Sequence, residues 1–419
     1  MTDVIIAGAG AAGLMAARVL RAAGRDVLIL ESSNRIGGRV MTLNDTLAGI
    51  PVELGAEFIH GDAPITRKLL DEARLVTVPV LGDHFRSDDG ELSPQGPVWK
   101  RMSRVFRYMN ADRKTDRSFA EFLDGNPGGR ALARERQLAR GFIEGFNGAD
   151  ASLISEKSLA QQGNPTEGAA EAARIINGYG SLIDYMSRDL TRSIRTGERV
   201  TRVNWQDAGV TVTTGKGEQY TAAAAILTVP LPMLQDGSVT LTADLPTIRN
   251  AAKLLMMGHV AHVGIIVKER FWEKKLENVS FVHSPERPFN VWWTQNPVAA
   301  PLIVAWSGGP PARELMSGGD VETVVLCEMA RVFGIQRKRA ESLIDSIHYH
   351  SWSTDPHTLG AYSYAGVGGA FAARTLARSF ENRIYFAGEA TDSGSSGTVE
   401  GALASGKRAA EKFLEETAG

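Results

Sequence analysis

The first thirty residues of the chain change character several times. A short apolar run, Val4–Ala7, is followed by the glycine-rich stretch Gly8–Gly13 and then by the alanine-rich stretch Leu14–Ala23. A second apolar run, Val27–Leu30, ends at the acidic residue Glu31. Apolar runs of this length, separated by a glycine turn and a helical segment, predict a strand, a tight turn, a helix and a second strand. The N-terminal segment is therefore predicted to be a βαβ unit.

Beyond this unit, the pattern changes between helical and strand periodicity. From Arg86 to Asp150 the apolar residues recur at helical spacing, which predicts a mostly helical insertion. From Arg199 they recur at every second position, which predicts a β-meander. Further strands are predicted at 224–229, 260–268, 302–307 and 384–387, and further helices at 320–333 and from about residue 398. This order favours a dinucleotide fold assembled from separated pieces, with insertions between them.

Composition and charge narrow the classes of function. The chain has 419 residues, enough for two or three domains, and its 46 basic and 48 acidic residues leave a net charge of −2. This balance argues against a nucleic acid as the main partner. The single cysteine, Cys327, excludes a disulfide within the chain and a cysteine-based metal cluster, and it favours a reducing compartment.

We expect no signal for export or for a membrane in this sequence. Its N-terminus leads directly into an apolar strand, without a basic segment before it. The most apolar stretch, Ala222–Leu234, contains Thr228 and two prolines and is shorter than the roughly 18–20 residues that span a bilayer. We therefore expect a cytoplasmic protein that binds no membrane.

The glycines of the first turn have a spacing that suits a bound pyrophosphate. Gly8 allows a sharp turn, Gly10 lets the backbone approach phosphates, and Gly13 lets helix and strand pack closely. The helix N-terminus adds unpaired N–H groups, and Glu31, 18 residues beyond Gly13, is placed to accept hydrogen bonds from a ribose diol. Glycine and alanine also open many ordinary helices, but the strand, helix and acidic residue in register favour a dinucleotide site.

Further motifs resemble those of one enzyme family. Arg35–Val40 (RIGGRV) closely follows Glu31, Val52–Gly61 (VELGAEFIHG) comes next, and Phe386–Gly406 begins with FAGEATDSG. Weaker matches lie at Gly178–Leu182, Leu227–Leu231 and Trp352–Tyr364. Together with the glycine turn, these motifs make the chain resemble the flavin amine oxidases, which include monoamine oxidases, polyamine oxidases and histone lysine demethylases. The resemblance covers nearly the whole chain.

The resemblance implies an α/β fold with two domains, each built from separated segments. A discontinuous Rossmann-like FAD-binding domain would comprise residues 1–61, 195–250 and 371–419. A substrate domain would combine a helical part, 62–194, with a mixed sheet, 251–370. The active site would lie between the two domains and face the flavin.

The same resemblance implies noncovalent FAD. Arg39 follows two glycines that let the backbone pass beside the cofactor, although an arginine here can also form a structural salt bridge. Glu389 is expected to hold cofactor hydroxyls, and Thr398 to start the last helix with its dipole towards the flavin. Ala361 stands where monoamine oxidases have the cysteine that links flavin covalently. The expected cofactor-binding residues are Gly8, Gly10, Ala12, Gly13, Glu31, Gly38, Arg39, Val200, Gly388, Glu389 and Thr398.

Two positions near the expected flavin depart from the family pattern. Relatives carry a lysine ten residues before the tryptophan of a Phe-Trp pair, where its ammonium binds a water next to the flavin, and here that position is His262. An imidazole, unlike an ammonium, titrates within the physiological pH range. Tyr362 matches one of two aromatic walls that often hold the amine, but the other wall falls on Thr398. For His262 and Tyr362, a packed structural residue is the alternative interpretation.

Three other histidines are candidates for a functional role. His60 resembles a residue near the pocket mouth of animal polyamine oxidases, where it would either bond an amine or cap a loop. His348 and His350 alternate along a predicted strand, but a third ligand is missing, so no metal site is expected. The candidate catalytic residues are therefore His262, Tyr362, Thr398 and His60.

The resemblance predicts an FAD-dependent oxidase of small-molecule amines. A hydride would pass from the carbon beside the nitrogen to the flavin, water would hydrolyse the imine, and oxygen or another acceptor would reoxidise the flavin. One alternative is a desaturase or protoporphyrinogen-type oxidase acting on C–C or ring C–N bonds. A second alternative, from another class, is a flavin-bound interaction module without turnover. The sequence identifies neither the amine nor the oligomeric state.

Overall fold

The computed structural model describes residues 2–96, 98–163, 171–206, 208–242, 245–284 and 288–417. The strands, in chain order, are β1 (Thr2–Ala7), β2 (Val27–Leu30), β3 (Thr42–Leu43), β4 (Val52–Glu53), β5 (Phe58–His60), β6 (Thr77–Pro79), β7 (Asp83–Asp88), β8 (Glu91–Pro94), β9 (Ala172–Ile175), β10 (Ile194–Arg195), β11 (Val200–Gln206), β12 (Gly209–Thr214), β13 (Gln219–Leu227), β14 (Thr240–Leu241), β15 (Leu255–Met257), β16 (Val260–Val267), β17 (Val279–His283), β18 (Val291–Thr294), β19 (Leu302–Gly308), β20 (Ile344–Tyr349), β21 (Ser363–Ala365) and β22 (Ile384–Phe386).

The helices lie between these strands and at the C-terminal end. They are α1 (Ala11–Ala22), α2 (Pro64–Ala73), α3 (Val98–Phe106), α4 (Phe119–Asp124), α5 (Ala133–Asn147), α6 (Glu156–Gln161), α7 (Tyr179–Ser187), α8 (Leu231–Gln235), α9 (Pro246–Lys253), α10 (Pro310–Met316), α11 (Val321–Val332), α12 (Arg337–Leu343), α13 (Ala372–Leu376) and α14 (Val399–Thr417). Short 3₁₀ turns lie at Gly129–Leu132, Arg188–Ser193, Phe271–Lys274 and Glu389–Thr391.

The first sheet contains the predicted βαβ unit at its centre. Its strand order is β10-β2-β1-β13-β12-β11-β14, and β22 also pairs with β13. The pairs β1–β2, β1–β13 and β13–β22 are parallel, whereas β11, β12 and β13 form the predicted antiparallel meander. Both faces of β1 are buried from Val4 to Ala7, which is why these four residues are apolar without alternation. The carboxyl ends of these parallel strands meet at one edge, which we call the carboxyl edge.

The second sheet has the strand order β20-β16-β19-β18-β17-β7-β8. Its strand β16 is buried along its whole length. One face of β16, including Val263 and Ile265, packs on an apolar core with α11. The opposite face carries His262, Gly264 and Ile266, as the period of two along the strand predicts.

The segment predicted as a helical insertion from Arg86 begins instead with a hairpin. Strands β7 and β8 pair with each other, and β7 also pairs in parallel with β17 at the edge of the second sheet. The prediction was wrong here because these edge strands are mostly polar and lack a clear apolar alternation. Asp89 and Gly90 both have positive φ, and an Asp-Gly pair is a typical hairpin turn that could have revealed this element.

Most other predicted elements differ from the structure only at their ends. The buried strand predicted at 224–229 begins earlier, at Gln219, and ends at Leu227. The division of the chain into two discontinuous domains stays a prediction. Within the described ranges, no helix combines the length and apolar character that crossing a membrane requires.

Candidate active site

A cavity of about 860 Å³ lies between the carboxyl edge of the first sheet and one face of the second sheet. Residues predicted to be functional from both ends of the chain line this cavity. They are Gly8, Gly10, Ala12, Glu31, Gly38, Arg39, His60, Val200, His262, Tyr362, Gly388, Glu389 and Thr398. Gly13 does not line the cavity, because it lies behind the turn against the backbone of Gly8.

The turn between β1 and α1 forms one end of the cavity. Gly8 has a φ of +112°, and a Cβ there would lie 2.5 Å from the hydroxyl oxygen of Thr228. A Cβ on Gly13 would lie 2.0 Å from the carbonyl oxygen of Gly8, so both positions require glycine. In contrast, a Cβ on Gly10 would meet no atom closer than 3.9 Å, because this residue faces Gly38 across an open gap. Space for a bound group therefore remains at Gly10.

The first turn of α1 is suited to an anion. Its N-cap, Gly10, has no side chain to accept from the first N–H groups, and Ala11 and Ala12 line the cavity. Such N–H groups and the helix dipole together attract phosphate oxygens.

Glu31 closes the same end of the cavity. Its carboxylate is 7% exposed and accepts hydrogen bonds from the N–H groups of Ala9, at 2.7 Å, and Ser33, at 2.8 Å. These bonds fix the carboxylate beside the glycine turn. The remaining lone pairs are available to hydroxyl donors, as the ribose diol of a dinucleotide supplies.

Arg39 and Glu389 form an ion pair across 350 positions of sequence. Nη1 of Arg39 lies 2.7 Å from Oε1 of Glu389 and also donates to the carbonyl oxygen of Ala361 at 2.9 Å. The Glu389 carboxylate additionally accepts from the hydroxyl of Ser363, at 2.7 Å, and the N–H of Gly397, at 3.1 Å. In the structure Glu389 thus joins three segments at the cavity wall, and its contact with cofactor hydroxyls stays a prediction.

Thr398 caps the last helix, α14, at the cavity. Its hydroxyl donates to the carbonyl oxygen of Ser395, at 2.7 Å, and accepts from the N–H of Gly401, at 3.0 Å. This arrangement satisfies one N–H of the first turn and directs the N-terminus of α14 towards the cavity.

His262 lies in the inner part of the cavity between two tryptophans. The side chain is 2% exposed, and its ring centroid lies 5.5 Å from that of Trp293 and 5.6 Å from that of Trp306. Its Nδ1 is 3.2 Å from the carbonyl oxygen of Gly55. Its Nε2 is 3.1 Å from Oε2 of Glu57. This second distance is that of an ion pair, but Nε2 has no hydrogen-bond partner among the described residues. Both ring nitrogens therefore face acceptor oxygens.

Glu57 is the centre of a buried charged cluster. It pairs with Nε of Arg174, at 2.6 Å, and accepts from the indole N–H of Trp293, at 3.0 Å. Burial alone would raise the pKa of Glu57, but the charge of Arg174 and the contact with His262 lower the pKa to about 2. Glu57 is therefore ionised at neutral pH, with one permanent cation and one imidazole beside it.

This cluster was not predicted from the sequence. Glu57 lies within the motif Val52–Gly61, but its partners Arg174 and Trp293 are 117 and 236 positions away in the sequence. Nothing in the local pattern links residues at these separations.

Tyr362 and His60 both line the cavity next to Phe146. The Tyr362 hydroxyl donates to the carbonyl oxygen of Phe146 at 2.8 Å, and the His60 ring lies 5.4 Å from the Phe146 ring. The C-terminal end of α5 thus holds both predicted residues in place. Together with His262, Trp293 and Trp306, they line a mainly aromatic part of the cavity, which we call the inner pocket.

Comparison with known proteins decides the family. The sequence profile described as "Flavin containing amine oxidoreductase" matches residues 11–414. The chain belongs to this family. Polyamine oxidase 2 of Arabidopsis thaliana is 28% identical over 98% of this chain and 87% of its own length. Lysine-specific histone demethylase 2 of Homo sapiens is 25% identical, over 98% of this chain and 53% of its own length.

Solved structures of amine oxidases have the same fold. A putrescine oxidase bound to putrescine superposes with a TM-score of 0.84 at 22% identity, over 99% of both chains. Cyclohexylamine oxidase from Brevibacterium oxydans has a TM-score of 0.84 at 20% identity, over the full length of both chains. The α/β fold class expected from the sequence is confirmed.

As a member of this family, the protein is an FAD-dependent amine oxidase. The open gap at Gly10, the exposed first turn of α1 and the fixed carboxylate of Glu31 fit the pyrophosphate and ribose of FAD. Noncovalent binding, which is typical of the family, agrees with Ala361, whose methyl group lines the cavity and offers no thiol.

The two histidines considered for a metal have other partners. Nε2 of His348 lies 3.3 Å from Asp45, and Nε2 of His350 lies 2.8 Å from Asp355. Across the described ranges, the structure has no group of three or more His, Cys, Asp or Glu side chains arranged to hold a metal ion.

Proposed function

We propose that the protein oxidises a small-molecule amine to an imine, with oxygen or another acceptor reoxidising the cofactor. When bound, FAD accepts a hydride from the carbon next to the amine nitrogen, and water hydrolyses the imine that is released. The observation that carries this proposal is a continuous cavity that joins the nucleotide-binding turn at Gly10 to an aromatic-walled pocket around His262 and Tyr362. The cavity therefore has room for both the cofactor and a substrate.

The names of the relatives support the choice of an amine. Polyamine oxidases, a putrescine oxidase and a cyclohexylamine oxidase all take amines, although these amines differ in size and charge. The amine group is the common feature of these substrates, so we propose only that the substrate of this protein also has an amine group.

The inner pocket favours the neutral form of an amine. Aromatic walls of Trp293, Trp306 and Tyr362 offer little solvation to an ammonium, so a bound amine loses its proton to water more readily than in solution. The neutral amine has the lone pair that assists hydride loss from the neighbouring carbon. Glu57 does not serve as a base in this proposal, because Arg174 holds it in an ion pair.

We infer that His262 acts beside the reacting ring of the cofactor. It stands at the position of the lysine of relatives, and its Nε2 lies 3.1 Å from Oε2 of Glu57. An N–H of its ring would stabilise negative charge that forms during reaction with oxygen.

Anaerobic mixing of the purified protein with a panel of amines tests this proposal. We expect at least one amine to bleach the flavin absorbance and to give the corresponding aldehyde or ketone together with the released amine or ammonia. If no amine reduces the flavin although dithionite does, the proposal is wrong. Reduction by a substrate without nitrogen, with formation of a C–C double bond, would support a desaturase instead.

A further inference from the structure

From the inner pocket, the cavity continues along two rows of aromatic rings towards His84 and His283. One row runs from Phe146 to Phe142 and Trp99, with successive ring centroids 5.2 and 5.3 Å apart. The other row runs from Trp293 to Phe281, with centroids 6.2 Å apart. Every one of these rings lines the cavity, so a substrate that enters the inner pocket has a long apolar passage around its remaining atoms.

Both rows end at a pair of histidines. The ring of His84 lies 6.1 Å from Trp99 and 4.8 Å from Phe281, and its Nδ1 lies 3.0 Å from Nε2 of His283. A hydrogen bond between two imidazoles requires one donor and one acceptor, so at least one ring is neutral. Burial lowers the pKa of His84 and lowers that of His283 to about 3. The pair is therefore uncharged at neutral pH.

Each carboxylate among the described residues that line the cavity already has a partner. Four of them already pair with a basic side chain, and Glu31 bonds backbone N–H groups at the nucleotide end. The four pairs are Glu57–Arg174 at 2.6 Å, Glu144–Arg140 at 3.2 Å, Glu389–Arg39 at 2.7 Å and Asp355–His350 at 2.8 Å.

Arginines line the end of the cavity at His84 and His283, which we call the outer end, and two of them, Arg86 and Arg140, pair with Asp88 and Glu144. Arg86, Arg134 and Arg140 line this end, and Glu144, the carboxylate on α5 that lines it, is held by Arg140. A cation placed here meets Arg134 as a like charge and, among the described residues that line this end, no carboxylate without a basic partner.

The outer end does offer neutral acceptors. The buried Oε1 of Gln95 and Oδ1 of Asn290 have no hydrogen-bond partner among the described residues, and both residues line the cavity. An uncharged amide oxygen can accept from a hydroxyl without the cost of burying a charge. These oxygens therefore suit a substrate whose far end is a neutral donor.

From this arrangement we propose that the substrates are monoamines carried on an aromatic or extended apolar body, with a far end that is apolar or bears a neutral hydroxyl. This inference rests on the proposed amine oxidation and adds the substrate class to it. It separates the protein from the relatives whose names specify polyamines or putrescine, since those substrates carry a second amine. A second ammonium would be desolvated at the outer end, where every carboxylate that the described part of the chain contributes to the lining already has a basic partner.

The test compares substrates of equal chain length. Alkylamines, amino alcohols and terminal diamines, from butyl to decyl, are mixed anaerobically with the holoenzyme, and the reduction rate and dissociation constant are obtained from flavin bleaching. We expect the ratio of rate to dissociation constant for each longer diamine to be at least about tenfold below that of the matching alkylamine, because its second charge loses solvation. The amino alcohols should match or exceed the alkylamines.

Two variants of His283 test the effect of a carboxylate at the outer end. His283→Asp introduces a carboxylate there, whereas His283→Asn is a matched control of similar size without the charge. We expect the Asp variant to raise the diamine-to-alkylamine ratio by about tenfold, since an ammonium gains a buried counterion, and the Asn variant to leave the ratio near its original value. If His283→Asp does not retain FAD, His84→Asp with His84→Asn provides the same comparison.

The outcomes separate this inference from the proposed function. Reduction by diamines that equals or exceeds reduction by alkylamines would overturn the substrate class and leave amine oxidation standing. A ratio that does not respond to the introduced carboxylate would also overturn it. Failure of every amine, with normal reduction by dithionite, would overturn the proposed function and this inference with it.

Discussion

At the scale of single residues, the most unusual feature is the buried cluster of Glu57, Arg174 and His262. Desolvation of charged groups is costly, and only close pairing compensates for it. Here the side chains of Glu57 and Arg174 are 5% and 12% exposed, and their atoms are 2.6 Å apart. Removing the carboxylate would leave a buried arginine without its counterion.

We therefore predict that Glu57→Gln lowers the free energy of unfolding by about 3–5 kcal/mol at neutral pH. Denaturant unfolding monitored by fluorescence measures this. The control is Glu273→Gln, which removes the exposed partner of Arg270 and should cost less than about 0.5 kcal/mol. Equal, small effects of both substitutions would show that the buried pair does not stabilise the fold.

The pH dependence of this effect follows from the lowered pKa of Glu57. Its value in the folded chain, about 2, lies below the value of about 4.3 for an unfolded chain. The stabilisation is therefore complete above about pH 4.3 and is lost as the pH falls towards 2. The difference in unfolding free energy between wild type and Glu57→Gln should shrink over this window, and a difference that stays constant there would contradict the assignment.

His262 leads to a prediction about the oxygen reaction. If its imidazole stabilises the negative charge that forms during the reaction with oxygen, His262→Ala should slow reoxidation without abolishing reduction by amine. His262→Lys, which places an ammonium there as in relatives, should reoxidise at least as fast as wild type. Stopped-flow reoxidation of dithionite-reduced enzyme measures both. Reoxidation that neither substitution changes would make His262 a structural residue.

Tyr362 is predicted to act on the substrate and not on the cofactor. Tyr362→Ala removes an aromatic wall and should slow amine-driven flavin reduction by about tenfold or more, with FAD content unchanged. Tyr362→Phe keeps the ring and loses only the bond to the Phe146 carbonyl, so it should retain most of the rate. Stopped-flow measurements give the flavin reduction rates of both variants. If Tyr362→Ala is reduced as fast as wild type, Tyr362 only packs against its neighbours and does not act on the substrate.

At the scale of elements, the sequence predicted the parts whose signals are local. The βαβ unit was predicted because a buried parallel strand, a glycine turn and an alanine-rich helix each leave a distinct pattern within a few residues. The hairpin of β7 and β8 was missed because its strands lie at a sheet edge and are mostly polar. The contact between Glu57 and Arg174 was missed because β5 and β9, which carry the surrounding backbone, pair only through the folded chain.

Two glycines at the start of α1 are expected to have different roles, Gly10 in cofactor binding and Gly13 in folding. Gly10→Ala adds a methyl group to the open gap, at an ordinary φ of −77°, so it should weaken FAD binding and leave the stability of the FAD-free protein unchanged. Gly13→Ala forces a Cβ to within 2.0 Å of the Gly8 carbonyl oxygen, so it should destabilise the FAD-free protein by roughly 1–3 kcal/mol. Flavin titrations and unfolding of the stripped proteins measure both effects. Equal destabilisation by the two substitutions would contradict this division.

At the scale of the whole molecule, the cavity is built by segments from both ends of the chain. Arg39 meets Glu389, and the N–H groups of Ile65 and Thr66 donate to Glu400 at the start of α14. The motifs at both ends allowed a cofactor site to be predicted from the sequence, because each motif is contiguous. The outer end of the cavity was not predicted, since His84, Gln95 and His283 come together only when β7 and β17 pair.

The central claim is that the protein binds FAD without a covalent bond and uses it to oxidise amines. The most direct measurement is an anaerobic titration of the purified protein with an amine that bleaches its flavin, followed by acid precipitation. We predict that one equivalent of amine bleaches one equivalent of flavin, that one equivalent of carbonyl product forms, and that all the FAD appears in the supernatant. Flavin that no amine can bleach, or bleaching without a carbonyl product, would contradict amine oxidation, and flavin retained in the pellet would contradict noncovalent binding.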